Sequence, residues 1–111
     1  DRATSALLKT VFEMEGFETL ACPRPERIVD TVREARPDLI MMDFHLAETD
    51  SLPVLRELKT DPELKGIPVL MTSGLDRSQE CKEAGAEVFL IKPFRPVNLM
   101  AAVRQALNAV A

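Results

Sequence analysis

The sequence predicts an α/β domain built on a parallel sheet. Two observations predict it. Short, continuous apolar runs at residues 39–42 and 88–91 are strand-sized, and the first reads as a strand buried on both faces. Between such runs lie segments with helical spacing, joined by short connections, and that alternation implies right-handed crossovers. The 111 residues support one domain, 1–111, with no internal linker, repeat or low-complexity stretch.

The elements follow in order. Leu7, Leu8, Val11 and Phe12 have helical spacing over 5–15, and Gly16 stands where a helix C-terminal glycine belongs. Residues 17–22 (FETLAC) read as a short strand. Pro25 suits a first helical turn, Ile28, Val29, Val32 and Ala35 mark a buried face, and Pro37 stops the helix. The run 39–42 (LIMM) is a strand ending at Asp43. Residues 44–51 read as a loop, with Ser51 capping a helix that buries Val54, Leu55 and Leu58. Ile67 to Thr72 is another buried strand, with Pro68 at its start. Residues 77–84 read as a short polar helix closed by Gly85. Residues 87–91 form the last strand. Pro96 opens the last helix, with Leu99, Val103, Leu107 and Val110 on one face. The first helix has no strand before it, although every later helix does.

Composition excludes several classes. Net charge is −4, which gives no basic footprint for direct nucleic-acid binding. No run approaches the ~18 apolar residues of a membrane span, and no signal peptide is visible. The domain is expected to be cytoplasmic. Cys22 and Cys81 lie far apart in apolar-periodic segments and read as free thiols in a reducing compartment. The four glycines form neither a dinucleotide fingerprint nor a phosphate-binding loop.

In open parallel sheets, sites lie beyond the carboxyl ends of the strands. The polar residues ending the buried runs are Asp43, then Thr72 and Ser73, then Lys92. One carboxylate, hydroxyls and one ammonium would share one rim. A carboxylate can attack phosphorus to give an acyl phosphate. A hydroxyl can bond a phosphoryl oxygen, and an ammonium can pair with either charge. Mg²⁺ would neutralise the crowded negative charge. Thr72 is expected to point away from the site, because strand neighbours face opposite sides. Met41, Met42 and Met71 read as core filler, and Glu48 and Asp50 as loop charges.

These residues resemble the receiver domain of bacterial two-component response regulators. LIMMDFHLAETDS surrounds Asp43, IPVLMTSG ends at Ser73 and Gly74, and GAEVFLIKPF surrounds Lys92. Ser73 stands thirty residues after Asp43, as in the family. The resemblance implies a flavodoxin-like, doubly wound parallel sheet of strand order 2-1-3-4-5, with strand 1 missing from this chain. It implies that Asp43 is the phosphoacceptor, charged by a histidine kinase or phosphotransfer protein. Ser73 would bond the phosphoryl oxygen and, with Phe89, act as the switch. Lys92 would pair with the phosphoryl group, and its bond to Pro93 is commonly cis. Mg²⁺ would take Asp43, the backbone carbonyl of His45 and, after a one-residue shift of the loop, Asp1. The module would not be an enzyme beyond self-catalysed phosphotransfer and dephosphorylation. It would act on an output domain or target protein, with a homodimer formed through the face of the fourth helix, fifth strand and fifth helix.

Some features depart from the family. Its acidic pair, at the end of the first strand, is absent, so the sequence reads as truncated at its N-terminus. Ala47 stands where proline is common and Ser51 where glycine is common. The interval from Ser73 to Lys92 is shorter by nearly a helical turn. The absent pair motivates one alternative: a phosphorylation-independent pseudo-receiver that serves as a protein-interaction module.

Overall fold

The computed structural model describes residues 2–46 and 49–109. Asp1, Ala47, Glu48 and Val110 lie outside the described residues, as does the side chain of Leu7. The elements are α1 (Arg2–Met14), a 3-10 turn (Pro25–Arg27), α2 (Ile28–Ala35), β1 (Ile40–Asp43), β2 (His45–Leu46), β3 (Thr49–Asp50), α3 (Leu52–Thr60), β4 (Val69–Ser73), α4 (Ser78–Glu83), β5 (Val88–Ile91) and α5 (Pro96–Ala109). The three longer strands form a parallel sheet in the order β1-β4-β5. Ile40 lies opposite Val69, and Leu70 opposite Val88.

Strand alternation divides the core between the two faces. Met42 and Met71 pack with Ile28 and Val32 of α2, Leu55 and Leu58 of α3 and Cys81 of α4. Leu70 and Val88 pack with Leu99, Val103 and Ala106 of α5, against which Leu8, Val11 and Phe12 of α1 also lie. β4, in the middle, is buried at every residue, which is why its sequence shows no alternation. This is the doubly wound α/β arrangement expected from the sequence.

The strand expected at 17–22 is absent: residues 17–24 form no strand. A strand persists through ladder bonds to a neighbour, and among the described residues this segment pairs with none. Between it and β1 runs a groove of about 1930 Å³. Phe17, Thr19 and Ala21 line one wall, and Ile40, Met41 and Met42 the other. Among the described residues, β1 has no ladder partner on the side away from β4. The loop expected at 44–51 is also corrected. β2 and β3 pair antiparallel, with His45 opposite Asp50.

Both cysteines are free. Cys81 is fully buried, and that burial pushes its thiol above the ordinary range. Cys22 is half-buried. An alkylating reagent is therefore expected to modify Cys22 in the native protein and Cys81 only after denaturation. Mass analysis of the two peptides checks this, and equal native rates would contradict the packing of α4.

Candidate functional site

The rim is assembled by the ladder itself. Asp43 is the last residue of β1 and pairs with Thr72. The Phe44 amide then donates to the Thr72 carbonyl at 2.7 Å, and the Lys92 amide to the Ser73 carbonyl at 2.8 Å. Those two bonds carry the sheet's register one step past the strands. They bring a carboxylate and an ammonium, 49 residues apart in sequence, to the same edge. The Lys92 Nζ donates to the Asp43 Oδ2 at 2.5 Å. The two side chains are 40% and 33% exposed, so the pair is open to an incoming group. The Lys92-Pro93 bond is cis.

Asp43 is held from below as well. The Ser51 hydroxyl donates to the Asp43 carbonyl at 2.7 Å, and the Ser51 amide to the Phe44 carbonyl at 2.7 Å. Ser51 was expected to cap α3. It occupies the cap position, but its side chain makes no cap bond there. The Leu52 amide is instead accepted by the Asp50 carboxylate at 3.0 Å. Ser51 is thus a residue of the site that sequence reasoning missed. A serine before Pro53 carries an ordinary capping signal, and nothing local shows that its hydroxyl turns back to β1.

The remaining candidates are placed as follows. The His45 amide points at the Asp43 Oδ1 across 3.5 Å, and its exposed ring stands edge-on to Phe44 with centroids 4.9 Å apart. Ser73 is fully buried and pairs with Ile91. Its hydroxyl accepts the Leu75 amide at 3.2 Å, which ties it to the β4–α4 loop. Phe89 pairs with Met71, so by alternation it faces the same side of the sheet as Ser73. Thr72 is buried, pairs with Asp43 in register, and is among the residues that line the groove with Asp43 and Lys92. Asp1 lies outside the described residues.

Beyond Ser73 the loop is short and locally satisfied. The Asp76 carboxylate accepts the Ser78 hydroxyl at 2.6 Å and the Ser78 amide at 3.0 Å. These bonds hold its carboxyl below the usual range. Among the described residues, no group of three or more His, Cys, Asp or Glu side chains is arranged to hold a metal.

A family profile for the response regulator receiver domain matches residues 1–104. The chain belongs to that family. A DNA-binding response regulator, MtrA of Mycolicibacterium paratuberculosis, is 32% identical, over 97% of this chain and 48% of its own length. The chain therefore spans about half the length of that relative. The polar-differentiation response regulator DivK of Brucella anthropi is 34% identical over 78% of this chain and 73% of its own. Among solved structures, the signal receiver domain of a histidine kinase from Syntrophus aciditrophicus is 30% identical, with a TM-score of 0.86 over 99% of this chain and 86% of its own. A CheY-like receiver domain protein from Methanospirillum hungatei has a TM-score of 0.87 over 99% of this chain and 89% of its own, at 19% identity, and shows the fold alone. The flavodoxin-like fold is thus established, with its parallel sheet formed by β1, β4 and β5. The chain is a receiver domain, the phosphoacceptor signalling module of two-component response regulators.

Proposed function

We propose that Asp43 is the phosphoacceptor of this receiver, charged from the phosphohistidine of a kinase or phosphotransfer protein. The Asp43–Lys92 pair at the open rim carries this reading. A carboxylate oxygen of Asp43 attacks phosphorus, the P–O bond forms, and the P–N bond to the donor imidazole breaks. Lys92 already touches the carboxylate and can follow the charge onto a phosphoryl oxygen. Ser73 donates its hydroxyl to a second phosphoryl oxygen while still accepting the Leu75 amide. Phe89, on the same face, adjusts to that movement and carries it toward α4, β5 and α5.

Receiver domains in general bind Mg²⁺ at this site. The donors here are hard oxygens, which suits that ion. Asp43 and the His45 carbonyl would hold it, with waters and phosphoryl oxygens beside them. The bound ion would offset the repulsion between the carboxylate and the incoming phosphoryl group. Asp1, or an acidic pair before it, would complete the set. The groove beside β1 supports that expectation. It is mainly apolar, borders an edge of β1 that has no ladder partner among the described residues, and counts Asp43, Thr72 and Lys92 in its lining. Thr19, on its far wall, has a buried hydroxyl with no partner among the described residues. An extended strand preceding α1, parallel to β1, would satisfy all of these features.

The module then acts by binding and not by turnover. Exposed Ile91 and Val97, at the adjoining ends of β5 and α5, would serve an output domain, a target protein or a second copy. No described helix is long and apolar enough to cross a membrane, and a cytoplasmic site of action fits the two-component role.

The test is phosphoryl uptake by the full-length protein from a small acyl-phosphate donor, followed by intact mass with and without Mg²⁺. One phosphoryl group taken up only with Mg²⁺ is expected. A folded protein that takes up none under either condition would replace this reading with the phosphorylation-independent one.

A further inference from the structure

Arg77 ends the β4–α4 loop and touches the residue next to the phosphoacceptor. Its guanidinium lies over the Phe44 ring, with Cζ 5.2 Å from the centroid. Phe44 is a fixed platform. It is 4% exposed, its amide donates to Thr72, and its carbonyl accepts the Ser51 amide. Arg77 sits at the N-cap position of α4, and its carbonyl accepts the Cys81 amide in the first turn. One side chain therefore fastens the start of α4 to the residue that follows Asp43.

The fastening is incomplete. The Arg77 Nε is buried with no partner among the described residues. The Nη1 reaches Glu80 only at 3.5 Å, in a pair that is partly exposed on both sides. Stacking on Phe44 is favourable, while a buried donor without an acceptor is not. A side chain held by opposing terms of similar size is easily shifted between two arrangements. The same loop is held at its other end by Leu75 donating to the Ser73 hydroxyl. Movement of Ser73 toward a group on Asp43 therefore strains or breaks its bond to the loop that Arg77 pins.

We infer that Arg77 is a positioning residue: its stack on Phe44 holds the β4–α4 loop in the resting place and sets how readily Ser73 responds to phosphorylation. The inference rests on Asp43 being the acceptor. Arg77 touches no reacting atom and acts through Phe44 and the loop. Releasing the stack favours the responding arrangement, so it strengthens binding of anything that draws Ser73 in.

Beryllofluoride, which mimics an acyl phosphate, is the probe. It is titrated with Mg²⁺ into the full-length protein while the amide signals of residues 73–81 are followed by NMR. Arg77→Gln and Phe44→Leu are each expected to bind it about 3- to 5-fold more tightly than the wild type. Before any probe is added, their loop signals should already lie part-way toward the bound positions. Arg77→Lys keeps a cation over the ring and should behave like the wild type. The double variant should bind no more tightly than either single one, because both remove the same contact. Wild-type affinity in Arg77→Gln, Arg77→Lys behaving as Arg77→Gln, or effects that multiply in the double variant would each overturn the inference. A wild-type protein that ignores the probe would overturn the acceptor reading and this inference with it, whereas normal wild-type binding beside an unaltered Arg77→Gln overturns this one alone.

Discussion

Asp43→Asn is expected to lower phosphoryl uptake at least about 1000-fold, to the background of the assay. The amide has no free anionic oxygen to attack phosphorus, and its nitrogen lone pair is delocalised. Lys92 loses its charged partner but keeps its position, because its amide is fixed to the Ser73 carbonyl. The Asp43–Lys92 pair is between a third and two-fifths exposed, so water screens it, and its loss should change stability by no more than about 1 kcal/mol. The variant therefore stays folded while the chemistry disappears. Intact mass after exposure to a small phosphodonor measures the first, and a urea melt the second. Uptake at the wild-type rate would place the acceptor on another residue.

Lys59→Met is expected to give the largest loss of stability, about 3 kcal/mol, which is about 10–20 °C in the thermal midpoint. Lys59 leaves α3 at the end of the sheet opposite the rim, where its ammonium has every donor occupied. Its Nζ donates to the Lys65 and Ile67 carbonyls, each at 3.0 Å, and to both Glu87 carboxylate oxygens at 3.0 and 2.8 Å. Glu87 also accepts the Val69 amide at 2.7 Å. The two side chains are only 10% and 16% exposed. Methionine fills the volume but leaves a nearly buried carboxylate with one donor and frees two carbonyls. The double variant Lys59→Met, Glu87→Leu should recover part of the loss, because no buried charge is then left alone. Denaturant melts of the three proteins test this, and a single-variant loss below about 0.5 kcal/mol would show the network to be merely solvated surface. Gly85 belongs to the same arrangement. It has φ +109°, and a Cβ there would lie 2.8 Å from the Lys59 Cγ.

The strand β4 is legible in the sequence because burial at every residue leaves an unbroken apolar run, and β1 and β5, although only partly buried, are legible as short apolar runs beside it. The rim is legible because Asp43, Ser73 and Lys92 follow or end those runs, the first two thirty residues apart as in receivers. What stayed hidden depends on partners distant in sequence. FETLAC has strand-forming residues, but a strand needs a neighbour, and beside β1 lies a groove. The Ser51 hydroxyl turns to the Asp43 carbonyl, a partner that its capping signal does not reveal. Lys59 and Glu87 are 28 residues apart, and each alone reads as an ordinary surface charge. Arg77 on Phe44 is invisible for the same reason.

The central claim is that Asp43 carries the phosphoryl group. Its most direct test is chemical mapping. The full-length protein is phosphorylated from a small donor with Mg²⁺ and treated with borohydride, which reduces an acyl phosphate to an alcohol with loss of phosphate. It is then digested for peptide sequencing by mass spectrometry. The account predicts a single reduced residue, at position 43. A reduced carboxylate anywhere else, or a phosphorylated protein in which Asp43 stays intact, would contradict it.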